Sequence, residues 1–134
     1  MNTVPTLVVG LGCRRGCGVD TLLNLFNAAL DARGIERRHV IALASIDRKQ
    51  DEPGLLALAK VLDLPLQFFS AEQLAGYEAR LSHKSPIAHA HTGCYGIAES
   101  AALALAESMA QASASLLITR QKNAQATFAL ACAG

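Results

Sequence analysis

The strongest constraint on this chain lies near its start. Leu7 to Leu11 is apolar throughout and is bounded by Pro5 and Gly12. A short run without polar alternation predicts a strand buried on both faces, as in a sheet covered by helices on each side. The turn Gly12-Cys13-Arg14-Arg15-Gly16-Cys17-Gly18 follows directly. Then Val19, Leu22, Leu23, Phe26 and Leu30 recur at helical spacing, and Gly34 stops the helix.

The same alternation continues. His39 to Ile46 reads as a second strand. Asp51-Glu52-Pro53 opens a second helix, with proline at its first position and Leu55, Leu56, Leu58, Ala59 and Leu62 supplying an apolar face. Leu66 to Phe69 is a short third strand. Ser70 with Gln73 makes a capping box, followed by Leu74, Tyr77 and Leu81 on one helical stripe. Residues 82 to 96 lack periodicity and contain Pro86, Gly93 and Gly96, which predicts a loop. Ile97, Ala101, Leu105 and Met109 mark a fourth helix, whose alanines allow close packing on a sheet. Ser115 to Thr119 and Ala126 to Leu130 read as strands of a hairpin turning at Gln121-Lys122-Asn123-Ala124. The expected fold is α/β: a single three-layer α/β/α domain over residues 1–134, with a mostly parallel sheet and a C-terminal antiparallel hairpin. A chain of this size can bury roughly two-thirds of its unfolded surface and needs no disulfide or metal to fold.

Composition excludes several function classes. Twelve Lys+Arg stand against 11 Asp+Glu, a net charge of +1, and there is no Trp. General nucleic-acid binding needs a basic field, and single-strand binding needs stacking aromatics. Glu99 and Glu107 interrupt the alanine- and leucine-rich stretch from Ile97 to Ile118, so no membrane span is expected. No Lys or Arg precedes the first apolar run, so no signal peptide is expected, and the four Cys at 13, 17, 94 and 132 read as reduced thiols of a cytoplasmic protein.

Three segments carry possible chemistry. In the first, Gly12, Cys13, Arg14, Arg15 and Gly16 join a buried strand to a helix start. Free backbone N–H groups there favour an anion, and two arginines add donors for carboxylate or phosphate. Arg15 occupies the third-glycine position of a dinucleotide fingerprint, and no Gly-Lys-Ser/Thr follows as in a P-loop. A tight turn with solvated arginines is the simpler account. The second segment, Ser45, Asp47, Arg48, Lys49 and Glu52, lies after a strand's carboxyl end, where open α/β sheets bind ligands. Its plainer reading is a solvated cluster whose acids face a helix dipole. The third contains Gly93, Gly96 and Glu99 at the next helix start. Glu99 there is either a surface acid favoured by the dipole or a base facing a ligand. Asp47, Glu52 and Glu99 are the candidate catalytic acids. Lys122 and Thr127 complete the candidate ligand-binding set at the hairpin. His89, His91 and Cys94 lack a matching second ligand cluster, so a histidine-bearing loop is favoured over a metal site, and no metal or cofactor is expected. Cys13 and Cys17 lack thioredoxin-like spacing. Cys17 is placed for a lowered pKa near a helix start, although two small residues in a crowded turn is the simpler account.

In order, Gly10-Leu11-Gly12-Cys13-Arg14-Arg15-Gly16, Ala44-Ser45-Ile46-Asp47-Arg48-Lys49, Glu52-Pro53-Gly54-Leu55, Phe68-Phe69-Ser70, Gly96-Ile97-Ala98-Glu99-Ser100-Ala101-Ala102 and Arg120/Lys122 with Thr127-Phe128-Ala129-Leu130-Ala131 span the chain. Together they resemble the CobE/CbiG C-terminal domain family of cobalamin (vitamin B12) biosynthesis. The resemblance implies action on a corrin precursor. Proteins of the CbiG type open a lactone on a cobalt-bearing ring-contracted precorrin and release acetaldehyde. They carry a further N-terminal region, whereas this chain starts almost at its first strand, which points to the stand-alone CobE type of the aerobic pathway. Cys17 stands where the family pattern has Ser or Thr, and the segment 88–92 is richer in histidine.

A late precorrin or hydrogenobyrinic acid is a flat apolar macrocycle rimmed with carboxylates, which Arg14, Arg15, Lys49 and Lys122 would pair. The expected function is binding or carrying such an intermediate, with other pathway enzymes as possible partners. The alternatives are an enzyme on the same intermediate, with Glu52, Asp47 or Glu99 as base, and a phosphate-binding module using the first turn.

Overall fold

The computed structural model describes residues 5–92 and 96–134. Gly93 and Cys94, and the side chain of His91, lie outside the described residues. Strands β1 (Thr6–Cys13), β2 (Val40–Ile46), β3 (Leu66–Phe69), β4 (Ala114–Lys122) and β5 (Ala126–Ala133) form one sheet in the order β3-β2-β1-β5-β4. β1, β2 and β3 pair in parallel, and β5 runs antiparallel to both β1 and β4. The sheet is therefore mostly parallel, with the antiparallel hairpin expected at the C-terminus.

The helices are α1 (Val19–Ala32), α2 (Pro53–Leu62), α3 (Ala71–Ala75), α4 (Pro86–Thr92) and α5 (Ile97–Ala110). Alternation along β1 separates two cores. Leu7, Val9 and Leu11 pack with Leu22, Phe26 and Leu30 of α1 and Leu55 and Leu58 of α2. Val8 faces the other way, into a core built with Leu74 of α3 and residues 101–106 of α5. Phe26 meets Phe128 of β5 edge to face, ring centroids 5.9 Å apart.

The two cores differ in grain. The α1/α2 side is filled by Leu and Phe, whereas Ala42, Ala44, Ala131 and Ala133 meet Ala101, Ala102, Ala104 and Ala106 on the α5 side. Small side chains let α5 lie close to the sheet. Closest approach falls at Gly10 of β1, where an added Cβ would stand 1.9 Å from the Ala98 carbonyl oxygen. Nine consecutive residues of α5, Ala98 to Ala106, are buried, because the helix is covered outside as well.

That outer cover corrects one expectation. The capping box forms as expected: Ser70 Oγ accepts from the Gln73 N–H at 3.1 Å, and Gln73 Oε1 accepts from the Ser70 N–H at 2.8 Å. The helix does not continue to Leu81 but ends at Ala75, and a separate 3-10 turn spans Glu78–Arg80. Tertiary hydrogen bonds claim this segment. Tyr77 Oη donates to Glu107 of α5 at 3.2 Å, Arg80 Nη1 donates to Glu107 at 3.0 Å, and Arg80 Nη2 also donates to the Ala114 carbonyl. The Ala114 N–H, donating at 2.9 Å, is the main cause that holds the Glu107 carboxyl below its ordinary value of 4.5. A depressed carboxyl stabilises the fold above its unfolded pKa, and this contribution is lost as pH falls through the folded one. Urea unfolding from about pH 6 to about pH 3 should show that loss in the native protein and a flatter profile in Glu107→Gln.

Two further boundaries differ. Part of the loop expected over 82–96 is helix α4, which starts at Pro86. Proline's fixed φ suits a first helical position, and a helix of two turns is too short to show periodicity. β4 extends through Lys122, so the hairpin turn begins at Asn123, two residues later than expected. There Asn123 Oδ1 accepts from the Gln125 and Ala126 N–H groups at 2.9 and 2.8 Å, a side-chain-closed turn.

Candidate functional site

The chain steps outward from β1 through β2 to β3, then returns to place β5 and β4 on β1's other side. The order reverses between β1 and β5, the position where open α/β sheets open a crevice beyond their strand ends. A cleft of about 890 Å³ lies there, within the size range of small-molecule sites. Gly12, Ile97, Ala98, Ala126 and Thr127 contribute to its wall. Gly12 keeps this surface low: an added Cβ would meet Thr127 Oγ1 at 2.7 Å.

Cations reach the cleft from three elements: Arg14 and Arg15 after β1, Arg48 and Lys49 after β2, and Arg120 and Lys122 at the end of β4. Among the described residues, Arg14, Arg15, Lys49, Arg120 and Lys122 form no ion pair with a carboxylate. Among the described residues that line the cleft, Glu99 is the one carboxylate.

The first turn is held from below. Arg14 to Cys17 is closed by a Cys17 N–H bond to the Arg14 carbonyl at 3.1 Å, with Gly16 at φ 80° as such a turn requires. Glu52 Oε1 accepts the Gly16 N–H at 2.6 Å, and Glu52 is itself buried. Gly54 allows the start of α2 to press on this turn, since an added Cβ would stand 2.1 Å from the Cys17 carbonyl oxygen. The Arg14 N–H donates to the Gln125 carbonyl at 2.8 Å, linking the turn to the hairpin. Both arginines thus stand on a braced loop while their side chains remain exposed.

Glu99 is not the surface acid of the plainer reading. It is 1% exposed and accepts from the Ser82 N–H at 2.8 Å, the His83 N–H at 3.4 Å, the Arg120 N–H at 2.9 Å and the Ser82 hydroxyl. Ser45 is buried and donates its hydroxyl to the Leu11 carbonyl at 2.7 Å, joining β1 to β2 below the cleft.

Of the residues expected at a site, Gly12, Cys13, Arg14, Arg15, Lys49, Gly96, Glu99, Lys122 and Thr127 line the cleft together. Gly16, Ser45, Asp47 and Glu52 are not among its lining residues, and Gly93 lies outside the described ones. Arg48 and Arg120, present in the sequence motifs but outside the candidate ligand-binding set, also line the cleft. Arg120 stands two residues before Lys122, a spacing that signals a shared strand face.

Cys17 is buried, as the simpler account of two small residues in a crowded turn has it, and its pKa is not lowered by the helix start. Burial pushes the Cys13 thiol up to about 12, with Cys17 and Glu52 adding to the rise and Lys49 opposing it. Burial, then Glu52, raises Cys17 as well. Both are neutral thiols at pH 7, so they are poor nucleophiles. Their folded pKa values exceed the unfolded one, so the associated stability is present below about pH 8.5 and is lost as pH rises toward the folded values. We expect slow iodoacetamide labelling of both at pH 8, mapped by peptide mass, and a smaller alkaline loss of stability in Cys13→Ser. Among the described residues no group of three or more His, Cys, Asp or Glu side chains is placed to hold a metal ion. Among them also, no helix is long and apolar enough to cross a membrane.

An open α/β sheet with a cation-rich cleft at its switch point places the chain in the class of open-sheet α/β domains. Comparison with known proteins narrows this. Residues 7–131 match the family described as "Cobalamin synthesis G C-terminus". Protein CobE of Sinorhizobium sp is 37% identical over 125 residues, covering 93% of this chain and 79% of that protein. The crystal structure of CobE, a protein from the cobalamin (vitamin B12) biosynthetic pathway, superposes with a TM-score of 0.94 at 42% identity, over 98% of this chain and 93% of that one. The cobalt-precorrin-5A hydrolase of Salmonella typhimurium is 37% identical over 76 residues, which is 56% of this chain but 22% of the hydrolase. The chain belongs to the cobalamin synthesis G C-terminus family and is a CobE-like protein of cobalamin biosynthesis.

Proposed function

We propose that the protein binds a polycarboxylate corrin precursor, a late precorrin or hydrogenobyrinic acid, and carries it between enzymes of the pathway. The observation that carries this reading is the charge of the cleft. Six cations from three elements converge on it, and the one carboxylate among its described lining residues is occupied by protein donors. Several carboxylates spaced around a flat ring would be read by several cations spaced around an apolar surface. The acids expected as bases are poorly placed for turnover. Glu52 holds Gly16, Glu99 holds three segments, and Asp47 is not among the lining residues. Within this reading the protein works in the cytoplasm, where its buried thiols stay reduced.

A second reading, an enzyme acting on a precorrin, is supported by the similarity to cobalt-precorrin-5A hydrolases. The chain spans 22%, 25% and 30% of the three hydrolases it matches. One experiment separates the two. Hydrogenobyrinic acid is titrated into the protein by visible spectroscopy, and the ligand is recovered for mass spectrometry. The carrier reading expects saturable binding, an unchanged mass, and about tenfold weaker binding in Arg14→Ala. The same titration is run with a late precorrin, and absence of binding to both at micromolar protein would sink it. Conversion of a lactone-bearing precorrin by the protein alone would establish the enzyme reading.

A further inference from the structure

The hydrogen bonds of Glu99 have a geometry that neither a general base nor a direct ligand contact accounts for. Glu99 is the third residue of α5, and its carboxylate reaches two other elements: the segment at Ser82 and His83, and β4 at Arg120. β4 is irregular there. Its pairing with β5 shifts register between Ile118 and Gln121, so Thr119 and Arg120 of β4 stand against the single residue Ala129 of β5. A bulge of this kind leaves a backbone group without a ladder partner and turns the local side chains. At this bulge the Arg120 N–H goes to Glu99 Oε2 at 2.9 Å, while the Arg120 side chain lines the cleft. On the other side of the same oxygen sits the Ser82 hydroxyl, which in turn lies 2.7 Å from His83 Nδ1.

We infer that Glu99, held by Ser82, is a positioning residue that sets the β4 bulge and thereby aims Arg120 into the cleft. The bulge alone would leave Arg120 a choice of directions. Fixing its N–H against a buried carboxylate in the packed part of α5 removes that choice. The guanidinium then meets an anion without first losing its freedom, which is the physical content of pre-organisation. The part of this inference that concerns affinity rests on the carrier reading; the part that concerns the bulge does not.

The test has two arms. In the free protein, the Arg120 amide and its side-chain Nε–H are followed by NMR in the native protein, Glu99→Gln and Ser82→Ala. An amide oxygen replaces one carboxylate oxygen in the glutamine variant, and its NH2 group opposes the donors. Loss of exchange protection and of Nε order at Arg120 is expected in Glu99→Gln, with a smaller loss in Ser82→Ala and none in the β1 core amides. Ser82→Ala removes one exposed hydroxyl and keeps the test alive should Glu99→Gln fail to fold. Unchanged order at Arg120 in both variants would overturn the inference whether or not any corrinoid binds. In the second arm hydrogenobyrinic acid is titrated into Glu99→Gln, Arg120→Ala and the double variant. Each single change should weaken binding about tenfold, and the double should be no weaker than Arg120→Ala alone. Additive losses would show that Glu99 does not act through Arg120. If the native protein binds nothing while the first arm succeeds, the carrier reading falls and the positioning role stands.

Discussion

Replacing Gly10 by alanine will cost this protein about 3 kcal/mol of stability or more, by the mechanism of overpacking. The added methyl would stand 1.9 Å from the Ala98 carbonyl oxygen, 2.9 Å from its carbon and 2.7 Å from the Ala102 nitrogen. All three are backbone atoms of α5, so no rotamer change relieves the contact. The helix would have to withdraw, and its contacts with β1, β2, β4 and β5 would open together. A domain of this size holds about 5–15 kcal/mol in total, so the loss is a large share of it. Urea unfolding at neutral pH reads the effect directly. Gly18→Ala is the control, since nothing lies within 4 Å of a Cβ added there and its φ is an ordinary −75°. A Gly10→Ala loss below about 1 kcal/mol would mean that α5 is not seated on β1 as closely as described.

Reversing charge on both walls of the cleft should have the largest effect on function. In Arg14→Glu/Lys122→Glu, hydrogenobyrinic acid affinity should fall on the order of a thousandfold, two charge-assisted contacts at about 2 kcal/mol each. Both side chains are exposed, so the fold should survive and the unfolding midpoint should move little. The paired control is ionic strength: native binding should weaken as salt rises, and the variant's residual binding should respond far less. Unchanged affinity in the double variant would place the ligand's carboxylates elsewhere and would remove the charge argument for the carrier.

Much of this architecture was legible in local patterning. The apolar run before Gly12 marked β1, the spacing from Val19 to Leu30 marked α1, and the Ser70/Gln73 pair marked the cap of α3, because each depends on neighbours within a few positions. The cations at 14, 15 and 49 were legible as ligand candidates because they follow strand ends, where a parallel sheet leaves its crevice. Harder to see were features with distant partners. The stripe of Leu74, Tyr77 and Leu81 did not continue as helix, because Tyr77 and Arg80 bond to Glu107 of α5. The thiol of Cys17 rose rather than fell because the fold buries it, and the carboxylate of Glu52 adds to the rise. Arg120 was legible as a cation of the hairpin, but not its bond to Glu99, because a register shift in β4 sets where its N–H stands.

The order of elements, the parallel character of the sheet and the small-residue face of α5 follow from short-range rules: hydrophobic period, glycine and proline stereochemistry, and capping. Which acid does what does not follow from such rules. Glu52, Asp47 and Glu99 look alike as carboxylates beside a helix start, yet one braces a turn, one is solvent-exposed and one ties three elements together. The difference comes from hydrogen-bond donors supplied by residues 16 to 36 positions away in the chain, and only the folded sheet brings those donors within reach.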